Sequence, residues 1–252
     1  YHTAYPALTQ HFKVHSLDGF GLKSMTAGVH AAGALINYIQ DTLHLPANHI
    51  RSLSTYCTDD FMSLDRITQR NLELTESLND GSRRNTLLDV LDSTCTPMGG
   101  RLLRQWVKQP LLNVDAIRAR QEGIRQLLDH TQLANELKTE LNAVRDLERL
   151  MMKVSAGYAS PRDLLSLAQS LQPLPRIKTL LYPLASALLN TAEEKLGDFT
   201  DLASHVSQAL CDEPPARVSD GKIFREGYNR ELDELRAIGT DAKAWLSRYQ
   251  AK

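Results

Sequence analysis

The sequence predicts a mainly α fold: a multi-helix bundle that ends in one long helix, with short β-hairpins near residues 50–65 and 217–224. Three observations carry this. From Asn85 to Asp212 apolar residues recur at helical rather than alternating spacing. Capping residues stand directly before proline or an apolar run at Thr96-Pro97, Asn113 and Ser160-Pro161, where a cap and a proline without an N–H to waste both favour a helix start. From Gly227 onward the apolar positions fall alternately four and three residues apart, the spacing of a helical seam.

Residues 1–23 hold short mixed segments in which Phe12 and Val14 alternate as in a strand. Met25 to Leu45 reads as one helix with a stripe of Val29, Ala32, Leu35, Ile36, Ile39 and Leu43, stopped by Pro46. Arg51 to Tyr56 and Phe61 to Asp65 read as two short strands around a Thr58-Asp59-Asp60 turn. A helix from Arg66 is expected to end near Asn79-Asp80-Gly81. Behind Thr96, the residues Leu102, Leu103, Trp106 and Val107 share a helical face until Pro110 stops the run. Asn113 caps a helix carrying Val114, Ile117, Ile124, Leu127 and Leu128, and Ser160-Pro161 heads another that runs to about Gln172. Pro173, Pro175 and Pro183 cut the following stretch into short helices, and Glu213-Pro214-Pro215 closes it. Asp220-Gly221, between short β-type residues, predicts the second hairpin. The last helix presents Tyr228, Leu232, Leu235, Gly239, Ala242 and Leu246 as a seam that a partner helix approaches closely at the two small residues. Its stretch beyond about Gly239 is expected to lack a partner within the chain.

Three stretches resemble one family. Leu91-Asp92-Ser93-Thr94-Cys95-Thr96-Pro97-Met98-Gly99-Gly100-Arg101-Leu102-Leu103-Arg104-Gln105-Trp106, followed by Pro110-Leu111 and Ile117-Arg118-Ala119-Arg120-Gln121, resembles the core domain of the bacterial MutS family of DNA mismatch-repair proteins. Leu64 to Leu74 is similar to the segment that opens that core, and Gly227 to Arg236 to the start of its lever helix. The resemblance is colinear from about Gly19 to the C-terminus. It implies that residues 1–48 are the C-terminal part of a connector domain, 49–226 a helical core, and 227–252 the start of a lever leading to a clamp whose DNA-contacting tip would follow Lys252. Leu102, Leu103, Trp106 and the seam residues would then be packing elements rather than chemical groups. For the full-length protein it implies ATP and Mg2+, mismatched duplex DNA, a second subunit of the same type, downstream repair factors, and a cytoplasmic, nucleoid-associated setting.

The residues themselves offer little chemistry. The only Gly-Lys pair, Gly221-Lys222, is followed by Ile223 and preceded five positions before the glycine by Ala216, so the phosphate-loop pattern fails at both ends. No cofactor and no enzymatic activity are expected of this chain. His11 and His15 lack a third ligand nearby, adjacent acidic pairs such as Asp59-Asp60 diverge on any regular backbone, and no nucleophile motif occurs. Cys57, Cys95 and Cys211 are distant and odd in number, which fits a reducing compartment. No apolar run reaches membrane-spanning length. A net charge of −1 excludes a global pull on nucleic acid, so any phosphate contact must be local. Arg101, Arg104 and Lys108 share a helical face, but the acidic residues interspersed in the next helix favour a salt-bridged surface. The chain begins at Tyr1 without a methionine and reads as a piece of a longer protein. Two other readings stay open: a MutS-like relative acting on recombination intermediates, and a stand-alone helical adaptor that binds proteins through the seam.

Overall fold

The computed structural model describes residues 2–22, 25–42, 44, 47, 50–55 and 60–238. The chain divides after Ser63 into two compact units.

In the first unit, helix α1 (Ala4–Phe12) packs on α2 (Thr26–Asn37), which continues into a π-helical turn at Tyr38–Thr42. The strand-like reading of the N-terminal residues is therefore corrected. Ala4, Leu8 and Phe12 stand at i, i+4 and i+8, a helical repeat that outweighs the short Phe12–Val14 alternation. Lys13, with φ 54°, ends the helix in the left-handed region. Leu8, Leu17, Leu22, Val29 and Ile36 form the buried core. Val29, Gly33 and Ile36 are the inward face of α2, while Leu35 from the expected stripe is 57% exposed; Leu43 and Pro46 lie outside the described residues. Gly33 allows the close helix approach, because a Cβ built there would stand 2.6 Å from the Ala4 Cα. Both His11 ring nitrogens are engaged: Nε2 donates to the Ile50 carbonyl (2.9 Å) and Nδ1 accepts from Gln40 (3.2 Å).

The hairpin expected near residues 50–65 is not formed among the described residues, beyond a single bridging residue at Phe61. In residues 51–55 only Leu53 is apolar, too little for a half-buried strand; Tyr56, Thr58 and Asp59 lie outside the described residues.

The second unit is mainly helical: α3 (Arg66–Asn71), α4 (Leu87–Leu91), α5 (Pro97–Lys108), α6 (Val114–Asp129), α7 (Thr131–Asn142), α8 (Leu147–Ser155), α9 (Pro161–Leu171), α10 (Leu174–Leu181), α11 (Ala187–Lys195), α12 (Thr200–Ala209) and α13, helical over residues 230–238. The predicted caps hold. Thr96 Oγ1 accepts from the Gly99 N–H (3.0 Å), Asn113 Oδ1 from Ala116 (2.9 Å), and Ser160 forms a reciprocal capping box with Asp163. Helix α3 is shorter than predicted. Glu73 takes a positive φ of 47°, and its carboxylate accepts from the Leu78 N–H (2.7 Å) and the Ser77 hydroxyl (3.2 Å), which turns the chain out of the helix. The freed carbonyls of Glu73 and Leu74 accept the first N–H groups of α4, at Leu87 and Leu88 (3.1 and 3.0 Å).

The core of this unit gathers Leu137, Leu171, Leu174, Ile177, Leu180, Leu181 and Ala203 from α7, α9, α10 and α12 and Leu184 from the loop after α10, with Met98 of α5 at its margin. The hairpin expected at residues 217–224 is corrected as well. Val218–Asp220 is a 3₁₀ turn, and of the Asp220-Gly221 pair only the glycine takes a positive φ, whereas a type I′ turn needs one at both positions and a type II′ turn at the first. Pairing instead joins Leu210 to Phe224 as one antiparallel bridge, with the Cys211 N–H on the Ile223 carbonyl and the Arg225 N–H on Ala209 (3.0 and 2.9 Å). Among the described residues no helix is long and apolar enough to cross a membrane.

Candidate functional site

The candidate site is the joint at which α13 leaves the bundle. Arg225 fixes it to the end of α12. Its Nε donates to the carbonyls of Leu210 (2.7 Å) and Ser207 (3.1 Å), and Nη2 pairs with Asp212 Oδ1 (2.5 Å). A guanidinium there satisfies carbonyls that the helix terminus leaves orphaned and complements the negative end of its dipole. Gly227 then turns the chain at φ 83°, a conformation that strains any residue with a Cβ. Asn229 Oδ1 accepts from the Leu232 N–H (3.0 Å) as an N-cap, and Asp233 Oδ2 accepts from the Gly227 N–H (2.6 Å). Arg236 ties the first turn back to the bridge, donating to the Phe224 carbonyl (3.1 Å) and pairing with Asp233 (3.3 Å). The Tyr228 ring stacks on Phe224, centroids 5.8 Å apart, and its hydroxyl reaches His205 Nε2 (3.4 Å).

Of the seam residues singled out, Tyr228 just before α13 and Leu232 and Leu235 on it line one open apolar groove of about 230 Å³ with Phe224. Leu232 is half-buried and Leu235 is 60% exposed. Gly239, Ala242 and Leu246, and the expected lack of a partner along that stretch, lie outside the described residues. The α5 residues are not brought to this groove. Leu102 is 48% exposed, while Leu103 and Trp106 are half-buried, with the Arg120 guanidinium against the Trp106 ring. The locking residues Arg225, Asp233 and Arg236 had no signature at the level of sequence, because most of their partners are backbone groups.

A second polar knot fixes α5 to α8. The Arg101 fork donates to both Asp146 oxygens (2.7 and 2.8 Å) and to Glu148, which holds the Asp146 carboxyl below the usual carboxylate range. Asp146 also caps α8 through the Arg149 N–H (3.3 Å). The knot thus joins the first half of α5 to the start of α8 through charged hydrogen bonds. Around Gly221-Lys222 the chain makes a 3₁₀ turn and then passes through positive φ at both residues, with no helix directly following, so the strand–loop–helix that cradles nucleotide phosphates does not fit there. No group of three or more His, Cys, Asp or Glu suited to a metal ion occurs among the described residues.

Residues 67–250 match the family described as MutS domain III, and residues 1–51 the one described as MutS domain II. The DNA mismatch repair protein MutS of Protochlamydia amoebophila (strain UWE25) is 53% identical over 249 residues, covering 99% of this chain and 29% of its own length. That of Lachnoclostridium phytofermentans is 43% identical over 97% of this chain, and that of Salinibacter ruber 40% identical over all of it. The chain thus spans 26–29% of the length of these relatives.

Proposed function

The chain belongs to the MutS family, and on that premise we propose that it works as a strut in DNA mismatch repair, transmitting conformational state between a DNA-holding clamp and an ATPase carried elsewhere in the same polypeptide. Residues 1–48 act as the end of the connector domain, 49–226 as the core, and 227–252 as the root of the lever. The whole protein uses ATP with Mg2+, engages mismatched duplex DNA with a second subunit of the same type, recruits downstream repair factors, and works in the cytoplasm at the nucleoid. The ATP chemistry is not assigned to this chain.

The observation that supports the reading is the locked joint at Arg225, Gly227 and Asp233. A lever transmits a displacement only if its root is stiff, and here the root is held by side-chain bonds on both sides of a glycine turn. Coupling of this kind is a free energy between two distant sites and is measured as such. The test softens the helix without touching either end. In the full-length protein, Glu234→Gly with Ala237→Gly places two flexible residues at exposed positions of α13, and Glu234→Ala serves as control. Duplex binding and ATP binding should each stay within about twofold, while the effect of DNA on ATP turnover falls by at least about fivefold, a typical coupling magnitude. Undiminished coupling in the Gly-Gly variant would remove the lever reading.

A further inference from the structure

We propose that the cleft between α3 and the C-terminal half of α5 is a nucleic-acid backbone site, in which Arg66, Arg70 and Lys108 take phosphate oxygens of duplex DNA; the inference rests on the mismatch-repair reading above. Two adjoining clefts lie here, of about 680 and 430 Å³, sharing Gln69 and Lys108 in their walls. Together their linings hold five cations and a single carboxylate, Glu76, in a chain whose net charge is −1. The positive charge is therefore local, which is the form that phosphate attraction must take in a protein of this composition.

Which of these cations are already spent decides the site. Arg101 is committed to Asp146 and Glu148, and Arg104 shares Glu76 at 3.3 Å. Arg66, Arg70 and Lys108 have no ion pair among the described residues. Nearby carboxylates are turned elsewhere: Glu73 to the Leu78 N–H and the Ser77 hydroxyl, Asp65 to the Thr68 N–H. Arg66 and Arg70 stand at i and i+4, so their like charges repel along one helix face, and a bound anion relieves that repulsion. Guanidinium forks match phosphate geometry, and the neutral side chains around them (Gln69, Gln105, Asn71, Thr75) are donors of the kind that position a nucleic-acid backbone. No aromatic residue lines either cleft, so the aromatic anchor typical of a protein docking surface is missing.

The test is salt-dependent binding of a fluorescein-labelled homoduplex to the full-length protein between 50 and 200 mM salt. The triple variant Arg66→Gln, Arg70→Gln, Lys108→Gln should reduce the slope of log K against log salt by roughly 0.9 for each phosphate it no longer neutralises, equally for matched and mismatched duplexes. Arg118→Gln, exposed and without an ion pair among the described residues, should leave the slope unchanged. A charge-keeping Arg66→Lys, Arg70→Lys variant should retain it, which separates removal of charge from damage to the fold. An unaltered slope in the triple variant overturns the site, and loss of binding to an acidic peptide with duplex binding intact reassigns the cleft to a protein partner. If the unsubstituted protein binds no duplex at all, the mismatch-repair reading fails and this site with it; unchanged binding in the variant alone defeats only the cleft.

Discussion

The Arg120 guanidinium lies 3.6 Å from the centroid of the Trp106 ring, so that α6 lays a cation over the aromatic face of α5. Partial burial of the guanidinium lowers its pKa from the ordinary arginine value, the sign of a desolvated cation. A cation over an indole contributes about 0.5–1 kcal/mol when exposed and about 2 kcal/mol when desolvated. Arg120→Ala should therefore cost about 1 kcal/mol, and Arg120→Lys should recover only part of it, because an ammonium does not stack as a planar guanidinium does. Urea unfolding of the three proteins checks this. Equal midpoints for the alanine variant and the parent would mean that the contact contributes nothing.

Gly33 sets a second expectation. A methyl added there would meet the Ala4 Cβ at 2.5 Å, its Cα at 2.6 Å and its carbonyl oxygen at 2.8 Å, and two of the three are backbone atoms that cannot swing away. Gly33→Ala must push α1 off α2 and should destabilise the first unit by about 1–3 kcal/mol, the usual cost of overpacking, despite alanine's better helix propensity. Ala4→Gly in the same chain removes only the Cβ clash, so it should restore part of the stability. Thermal melting of the single and double variants reads both effects; a Gly33→Ala protein as stable as the parent would show that the helices slide apart freely.

Thr96, Asn113 and Ser160 could be read as caps because the bond runs from a side chain to a backbone N–H three residues on. Helix α1 could not, since a nine-residue segment offers few turns against a strand-like pair such as Phe12 and Val14. The end of α3 depends on Glu73 binding the backbone of Leu78, a local event with no periodic trace. The apolar face of Leu102, Leu103 and Trp106 was readable as a face, but spacing says nothing about what covers it, and Leu102 is half exposed. The core lies instead around α10, inside the stretch that the prolines cut into short helices. Of the joint, Tyr228 and Leu232 follow from the seam, whereas Arg225 was invisible because its partners include the carbonyls of Ser207 and Leu210, fifteen and more residues earlier.

Acid should act through Asp163. The Lys153 ammonium (2.7 Å), followed by the Ser160 backbone N–H (3.0 Å), holds its carboxyl down at about 2. Its folded pKa thus lies below the unfolded value near 3.8, so between these values the unfolded chain binds the extra proton. The stabilisation is fully present above about pH 4 and is lost as pH falls toward 2. Asp163→Asn removes the titration, so the drop in urea midpoint between pH 5 and pH 2.5 should be smaller in the variant than in the parent. The variant should also be less stable at pH 5, having lost the ion pair and half of the capping box. An identical pH drop in both proteins would exclude Asp163 as a contributor.

The joint itself gives the most local prediction. Arg225→Ala deletes the donors that satisfy the Ser207 and Leu210 carbonyls and the partner of Asp212, while leaving the Arg225 N–H on Ala209 in place. Because these acceptors lie at the C-terminal end of α12, a cation there gains from the helix dipole as well, and the loss should be about 1–2 kcal/mol. Lysine keeps the charge but cannot hold two carbonyls and a carboxylate with one fork, so Arg225→Lys should fall between the two. Hydrogen exchange distinguishes a loosened joint from a weakened bundle. Amides of Cys211, Gly227 and Leu232 should exchange faster in Arg225→Ala, whereas those of Ile177 and Leu181, in the core around α10, should keep their protection. Uniformly faster exchange would make Arg225 a general stabiliser of the bundle. Unchanged exchange at Gly227 would mean that Asp233 and Arg236 hold the lever root on their own.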